Sequence, residues 1–159
     1  MAQLSDLAYD PETGIFSWLR SPRYSVPAGS AAGTVAGKGY RYLKVGGVEY
    51  RASRLAWLFA TGEWPPKGIE VDHINGDRAD DRIANLRLAT TRENCRNRGV
   101  NRANTTGVKG VHRHRGRYIA RISADDKRLF LGSYPTAEQA HAAYAAAAER
   151  LHGEFARVA

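Results

Sequence analysis

Glu70-Val71-Asp72-His73-Ile74-Asn75-Gly76-Asp77 runs on to Asn85-Leu86-Arg87-Leu88 and then to Thr90-Thr91-Arg92-Glu93-Asn94. Glu70 to Ile74 reads as a strand, and the polar stretch from Asn75 to about Ala84 reads as a loop. Leu86 to Ala89 reads as a second strand. Thr90-Thr91-Arg92-Glu93 has capping-box spacing, which predicts a short helix from near Thr91 with Asn94 in its first turns. Strand, loop, strand and helix therefore follow one another within residues 70–98.

Asp72 and His73 are neighbours on a strand, so their side chains point to opposite faces. Asn94 on the helix could meet Asp72 and supply a second oxygen. Two hard oxygen ligands leave coordination positions for water and a substrate phosphate, which suits Mg²⁺ or Mn²⁺. A neutral imidazole can take a proton from an attacking water, typically for about 10²–10⁴-fold in rate. The metal would polarise the phosphate and stabilise the leaving 3′-oxygen.

Charge sharpens this reading. The 159 residues hold 24 Lys+Arg against 16 Asp+Glu, net +8. Residues 99–159 carry +5 of that excess, and Val100 to Ala124 contains Arg102, Lys109, Arg113, Arg115, Arg117 and Arg121 without one acid. Such segregation is the footprint of a phosphate-backbone surface. Glu70, Asp72, Asp77, Asp80 and Asp81 crowd the middle of the chain. Acids repel phosphate unless a cation sits between them, so this cluster points to a metal. A 43% hydrophobic fraction with 25% charged residues is ordinary for a globular protein. The apolar runs are too short to span a bilayer, and no signal peptide is visible at the N-terminus. Cys95 is the single cysteine, which excludes an internal disulfide framework and any multi-cysteine zinc site and suits a reducing cytoplasm.

Upstream, Ile15 to Leu19 and Gly39 to Arg51 read as short strands, with Gly46-Gly47 as a hairpin turn. Ser53 is a candidate cap for a helix to about Thr61, stopped by Gly62 and Pro65-Pro66. Cys95 to Thr106 is polar and reads as a linker. Beyond it come three strands, Gly110 to His114, Arg117 to Ser123 and Lys127 to Tyr134, with turns at Arg115-Gly116 and Asp125-Asp126. Pro135-Thr136 opens a helix to about Leu151, stopped by Gly153, with Ala140, Tyr144, Ala147 and Leu151 as its apolar stripe.

Several blander readings compete. An isolated Asp-His pair is usually surface decoration, and Asp77, Asp80 and Asp81 suit turns and caps. His141 and His152 suit a helix surface. Ile74 and Gly76 break the calcium-loop pattern, and Gly37-Lys38-Gly39 lacks the spacing of a phosphate-binding loop.

Taken together, Glu70 to Asp77, Asn85-Leu86-Arg87 and Thr90-x-x-Glu93-Asn94-x-x-Asn97 closely resemble the HNH endonucleases, in particular phage and intron-encoded homing enzymes. The likeness extends more loosely to Tyr9-Asp10-Pro11-Glu12-Thr13-Gly14 and Arg54-Leu55-Ala56-Trp57. The resemblance implies that Asp72 and Asn94 are metal ligands and His73 the general base. It further implies that Asn85 braces the loop and orients His73 through hydrogen bonds, and that Asn97 supports the helix or contacts substrate. Ser53 stands where many relatives carry His.

Residues 104–156 resemble a second family, the plant ethylene-response-factor (APETALA-type) DNA-binding domain, through Asn104-x-x-Gly107-Val108-Lys109-Gly110-Val111, Leu131-Gly132-Ser133-Tyr134 and Thr136-Ala137-Glu138-x-Ala140-x-x-Ala143-Tyr144. In that family a three-stranded sheet enters the major groove and the helix supports its back. The resemblance implies that His112, His114, Arg121, Ser123, Arg128 and Phe130 face DNA. Arg121 or Arg128 would read guanine, and Lys109, Arg113, Arg115 and Arg117 would meet phosphates.

The expected fold is therefore α+β. A ββα-metal HNH core (66–98) carries a β-rich support (1–65); after a linker (99–106), a three-stranded antiparallel sheet packs on one helix (107–157). The expected function is a site-specific homing-type endonuclease of double-stranded DNA that uses Mg²⁺ or Mn²⁺. It is expected to be monomeric, with no membrane or small-molecule partner, in the host cytoplasm or nucleoid if phage-encoded. The competing class is a non-catalytic DNA-binding regulator with a degenerate HNH scaffold; an RNA-binding module lacks the stacking motifs of such folds.

Overall fold

A computed structural model describes residues 3–101, 103–124 and 126–158. Arg102 of the basic run and Asp125 of the expected turn lie outside the described residues. The chain divides into two compact units after Thr91.

The first unit has three small sheets. In the first, β1 (Leu7–Asp10), β2 (Ile15–Trp18) and β3 (Ala31–Ala32) lie in chain order. In the second, β4 (Thr34–Ala36), β5 (Tyr40–Val45) and β6 (Val48–Arg51) do the same, with β5 and β6 joined at Gly46-Gly47. Alternation sends Phe16 and Trp18 of β2, and Leu43 and Val45 of β5, into one core. The helix α1 (Ala52–Thr61) adds Ala52, Leu55 and Ala56 to it. The third sheet is the expected hairpin, β7 (Glu70–His73) antiparallel to β8 (Leu86–Ala89), and it enters the same core through Val71 and Leu86. Burying side chains such as Phe16, Leu43 and Leu55 stabilises a fold by roughly 1.5–3 kcal/mol each.

The second unit holds most of α2 (Thr91–Arg96) and an antiparallel sheet of β9 (Val111–His114), β10 (Arg117–Ala124) and β11 (Lys127–Tyr134), with β10 central. The helix α3 (Ala137–His152) covers one face of that sheet; its Thr136 cap accepts from Gln139 N at 3.3 Å. Tyr144, Ala147 and Ala148 pack on Ile122, and Ala140 on Val111 and Ala120. Gly110 has φ +74°, and a Cβ there would sit 1.9 Å from the Tyr144 ring, so only glycine lets the helix come this close.

Several expectations change. The division falls at Thr91 rather than Arg98, because α2 is tied to the second unit. Arg92 bonds the Asp126 carboxylate at 2.7 and 2.9 Å, and Lys109 Nζ donates to Arg96 O at 2.6 Å. The end of the expected linker is ordered by Asn104, whose Oδ1 accepts from Thr106 N and Gly107 N while Nδ2 donates to Val108 O. Ser53 does not cap α1; the helix starts at Ala52, and Ser53 is buried in its first turn. The histidines of α3 are not idle surface residues, since His141 stacks on Tyr144 and His152 Nε2 lies 3.0 Å from Ser123 O.

Candidate active site

Register places Asp72 opposite Arg87 and His73 opposite Leu86. Residues directly opposite share a face, so Arg87 meets Asp72, with both Nε and Nη2 3.0 Å from Asp72 Oδ2. Both guanidinium nitrogens converge on one carboxylate oxygen, a charge-assisted contact that holds that oxygen in place. His73, on the other face, is 3% exposed.

The loop between the strands is built by its own side chains. Asn85 Nδ2 donates to Asp80 O at 2.8 Å, and its Oδ1 accepts from Asn75 N at 3.0 Å. Asn75 Nδ2 bonds Asp80 Oδ2 at 2.8 Å, and Asp77 Oδ1 accepts from Ala79 N. Asp77 and Asp80 are thus the expected turn residues. Arg82 grips Asp80 at 2.6 and 2.7 Å, and that bond, aided by Asn75, holds the Asp80 carboxyl down to about 2. These two bonds of the Asn85 amide go to backbone atoms, Asp80 O and Asn75 N, rather than to the imidazole of His73.

Asp81 bonds the ring. Its Oδ1 lies 3.1 Å from His73 Nε2, and it is 1% exposed. Its other oxygen has no hydrogen-bond partner among the described residues and lies 3.8 Å from Arg41 Nε. Asp81 is therefore not the turn or cap residue the sequence suggests. With hydrogen on Nε2 the ring donates to Asp81, and the lone pair sits on Nδ1.

The remote Tyr9–Gly14 segment explains why Asp81 turns inward. Tyr9 donates its hydroxyl to Asp81 O at 2.8 Å, and Ile83 N donates to Pro11 O. Burial first, and the Asp81 charge second, push the Tyr9 phenol up to about 12. Gly14 has φ +72°, and a Cβ there would come within 2.5 Å of Arg82 N and 2.6 Å of Asp81 C.

Asn94 lies on α2 in the second unit. Asn97 is buried one turn further on, and its N–H donates to Glu93 O. Among the described residues no group of three or more His, Cys, Asp or Glu is arranged to hold a metal. Asp72 carries a carboxylate and Asn94 an amide oxygen, both hard oxygens of the kind that suits Mg²⁺.

In the second unit, register puts Arg121 opposite Phe130 and Ser123 opposite Arg128, with His112 beside Ile119 and His114 beside Arg117. The pairing steps from Ala120–Gly132 to Arg121–Phe130, leaving Leu131 as the extra residue of a bulge. That offset keeps Leu131 against the core while Arg121 and Phe130 face outward; Phe130 is 62% exposed. The six positions expected to face DNA thus lie on the face away from α3. Partial desolvation first, and then the charges of Arg121, Arg128 and His114, depress His112 below the usual histidine value, as grouped cations should.

The four expected phosphate contacts differ among themselves. Arg113 and Arg115 are exposed. Arg117 is pinned across the sheet to Ser133 Oγ and O, both at 2.9 Å. Lys109 is half-buried; burial first and Arg157 second lower its amine to about 8.

Against this geometry, residues 50–96 match the HNH endonuclease family. Protein 3.8 of Escherichia phage T7 is 36% identical over 113 residues, which are 68% of this chain and 92% of that protein. The hairpin, its loop and α2 are thus similar to the HNH endonucleases. An uncharacterized HNH endonuclease of Acanthamoeba polyphaga mimivirus is 35% identical over 91 residues, covering 57% of this chain and 47% of that protein. The family match spans the hairpin, its loop and α2, and so includes Asp72, His73, Asp81, Asn85 and Asn94. It implies a nuclease with a nucleic-acid substrate. No helix among the described residues is long and apolar enough to cross a membrane.

Proposed function

We propose that this protein is an HNH endonuclease, a site-specific DNA endonuclease of the homing type, acting on double-stranded DNA in a phage host's cytoplasm or nucleoid. The observation that carries the reading is the buried His73–Asp81 contact at 3.1 Å, beside Asp72 on the hairpin of the family match. A histidine held by a buried carboxylate on Nε2 has a fixed ring and tautomer, which is what a general base requires.

In this reading Asp72 would be a ligand of one divalent cation, Mg²⁺ or Mn²⁺, and Asn94 is the second ligand that the family resemblance implies. The ion supplies Lewis-acid polarisation of the phosphate and charge neutralisation at the leaving oxygen. His73 Nδ1 takes the proton from the attacking water while Asp81 keeps the ring in line. Asn85 holds the loop that carries Asp81. Arg87 fixes Asp72, so that its carboxylate does not have to be ordered during the reaction. Hydrolysis leaves 5′-phosphate and 3′-hydroxyl ends.

Residues from Asn104 onward act as an ethylene-response-factor-like targeting module. The outward cations of β9 to β11 support this, because the opposite face of the sheet is already filled by α3. Arg121 and Arg128 are the base-reading candidates; His112, His114, Ser123 and Phe130 complete the face, and Arg113, Arg115, Arg117 and Lys109 carry charge toward the backbone.

The test is incubation with DNA flanking the protein's own gene, with and without Mg²⁺, mapping breaks on each strand. Mg²⁺-dependent cutting at one site, lost in His73→Ala with DNA affinity kept, is the expected result. Sequence-specific binding without cutting under any divalent ion refutes the enzyme and leaves a regulator.

A further inference from the structure

Tyr40 opens β5 and Arg51 ends β6. Register sets Tyr42 opposite Arg51, so Tyr40, two residues away on the same face, is the diagonal neighbour of Arg51 and within reach of its side chain. The Arg51 guanidinium carbon lies over the Tyr40 ring, 4.5 Å from its centroid. Arg78 arrives over the same ring from the loop after β7, at 4.9 Å, and its Nη1 donates to Lys38 O at 2.9 Å. The Tyr40 ring in turn lies 6.0 Å from the imidazole of His73, centroid to centroid.

Two guanidinium groups over one ring repel each other. The ring quadrupole and the tether of Arg78 to Lys38 O offset that repulsion and keep both charges in place. Both side chains are exposed, and among the described residues neither is bonded to a carboxylate. A merely solvated surface leaves arginines to fan outward. Here the two are gathered at the ring beside His73, with their anion partner missing from the protein itself.

We propose that Arg51 and Arg78, ordered by Tyr40, form a phosphate grip within the nuclease unit, holding the DNA backbone next to the scissile phosphate. The proposal rests on the reading of His73 as the base of a DNA-cleaving site. Successive phosphates rise by about 3.4 Å per nucleotide along a strand, so cations this near His73 fall within a few nucleotides of the bond it serves. The nuclease unit then contributes to DNA affinity independently of the outward face of β9 to β11.

The experiment uses the full chain and a fluorescein-labelled DNA duplex in EDTA, with affinity measured across a NaCl series. Each lost phosphate contact reduces the slope of log affinity against log salt by about 0.9. Arg51→Gln with Arg78→Gln is expected to reduce it by about 1.8, and the paired lysine variants, which keep the charge, to restore most of it. Lys67→Gln, an exposed cation of the same unit, controls for net charge. In Mg²⁺ the glutamine pair is expected to raise KM and leave kcat in place, whereas His73→Ala lowers kcat. A slope reduced no more than in Lys67→Gln overturns the grip. If the wild type cuts nothing under any divalent ion, the nuclease reading fails, and the salt slopes still decide the grip by themselves.

Discussion

Gly14→Ala tests the link between the β1–β2 turn and the loop that carries Asp81. Two costs arise from the geometry. At φ +72° an alanine sits in the left-handed region, a strain of about 1–2 kcal/mol. Its Cβ would also lie 2.5 Å from Arg82 N and 2.6 Å from Asp81 C, both backbone atoms, so the Asp81–Arg82 segment must move by most of an ångström. Forcing a packed site apart in this way costs typically about 1–3 kcal/mol. The sum is about 3 kcal/mol, which for a unit of this size is a loss of roughly 12–24 °C in Tm. Gly29→Ala is the internal control, because Gly29 has φ +85° but nothing within 4 Å of an added Cβ, so it isolates the strain. Urea unfolding of both variants gives the two costs, and their difference is the contact. Cleavage measured well below the melting range is expected to fall in Gly14→Ala and not in Gly29→Ala, since only the first displaces Asp81. Equal destabilisation of the two variants would refute the packing argument, and full cleavage by Gly14→Ala would refute the coupling to His73.

Asp81→Asn keeps an oxygen for His73 Nε2 and is expected to retain most activity, while Asp81→Ala lets the ring drift and lowers kcat about 10²-fold; equal loss in both would sink orientation as the role of Asp81. The Asp80 carboxyl is held at about 2, chiefly by Arg82. The folded pKa lies below the unfolded one, so its contribution to stability is complete above pH ~4 and disappears as pH falls through about 2. Urea midpoints between pH 5 and pH 2 should therefore drop less in Asp80→Asn than in the wild type, and parallel curves would contradict this. Arg121→Ala should weaken target binding by about 1–3 kcal/mol and relax preference at one base pair, whereas Arg113→Ala should weaken all sequences alike; competition with single-base target variants separates these, and unchanged preference in Arg121→Ala removes it as a base reader.

The parts of this molecule that were legible in its sequence are those that local rules determine. The β7–β8 hairpin, α2 and the α3-backed sheet announced themselves through alternation, capping residues and glycine stops, and their observed limits lie within a residue or two of the expected ones. The strands β1, β3 and β4 did not; β3 and β4, of two and three residues, carry no readable period and exist only once a neighbour pairs with them. Asp81 was hidden for the same physical reason at the level of the site. Within Asp77 to Arg82 it is one more acid in a turn-rich run, and nothing local separates it from Asp80. What separates them is long-range: Tyr9, 72 residues away in sequence, bonds the Asp81 carbonyl, and Gly14 lets the backbone of the loop approach closely enough for the carboxylate to reach His73. The Asp10-Pro11-Glu12-Thr13-Gly14 segment was visible as part of the looser upstream likeness, but its task was not, because a glycine in a sequence does not name the chain that will press against it. Arg41 and Tyr40 follow the same logic. Adjacent on β5, they take opposite faces, one approaching Asp81 and the other the His73 ring, so the surroundings of the base are set by the second sheet as much as by the motif itself.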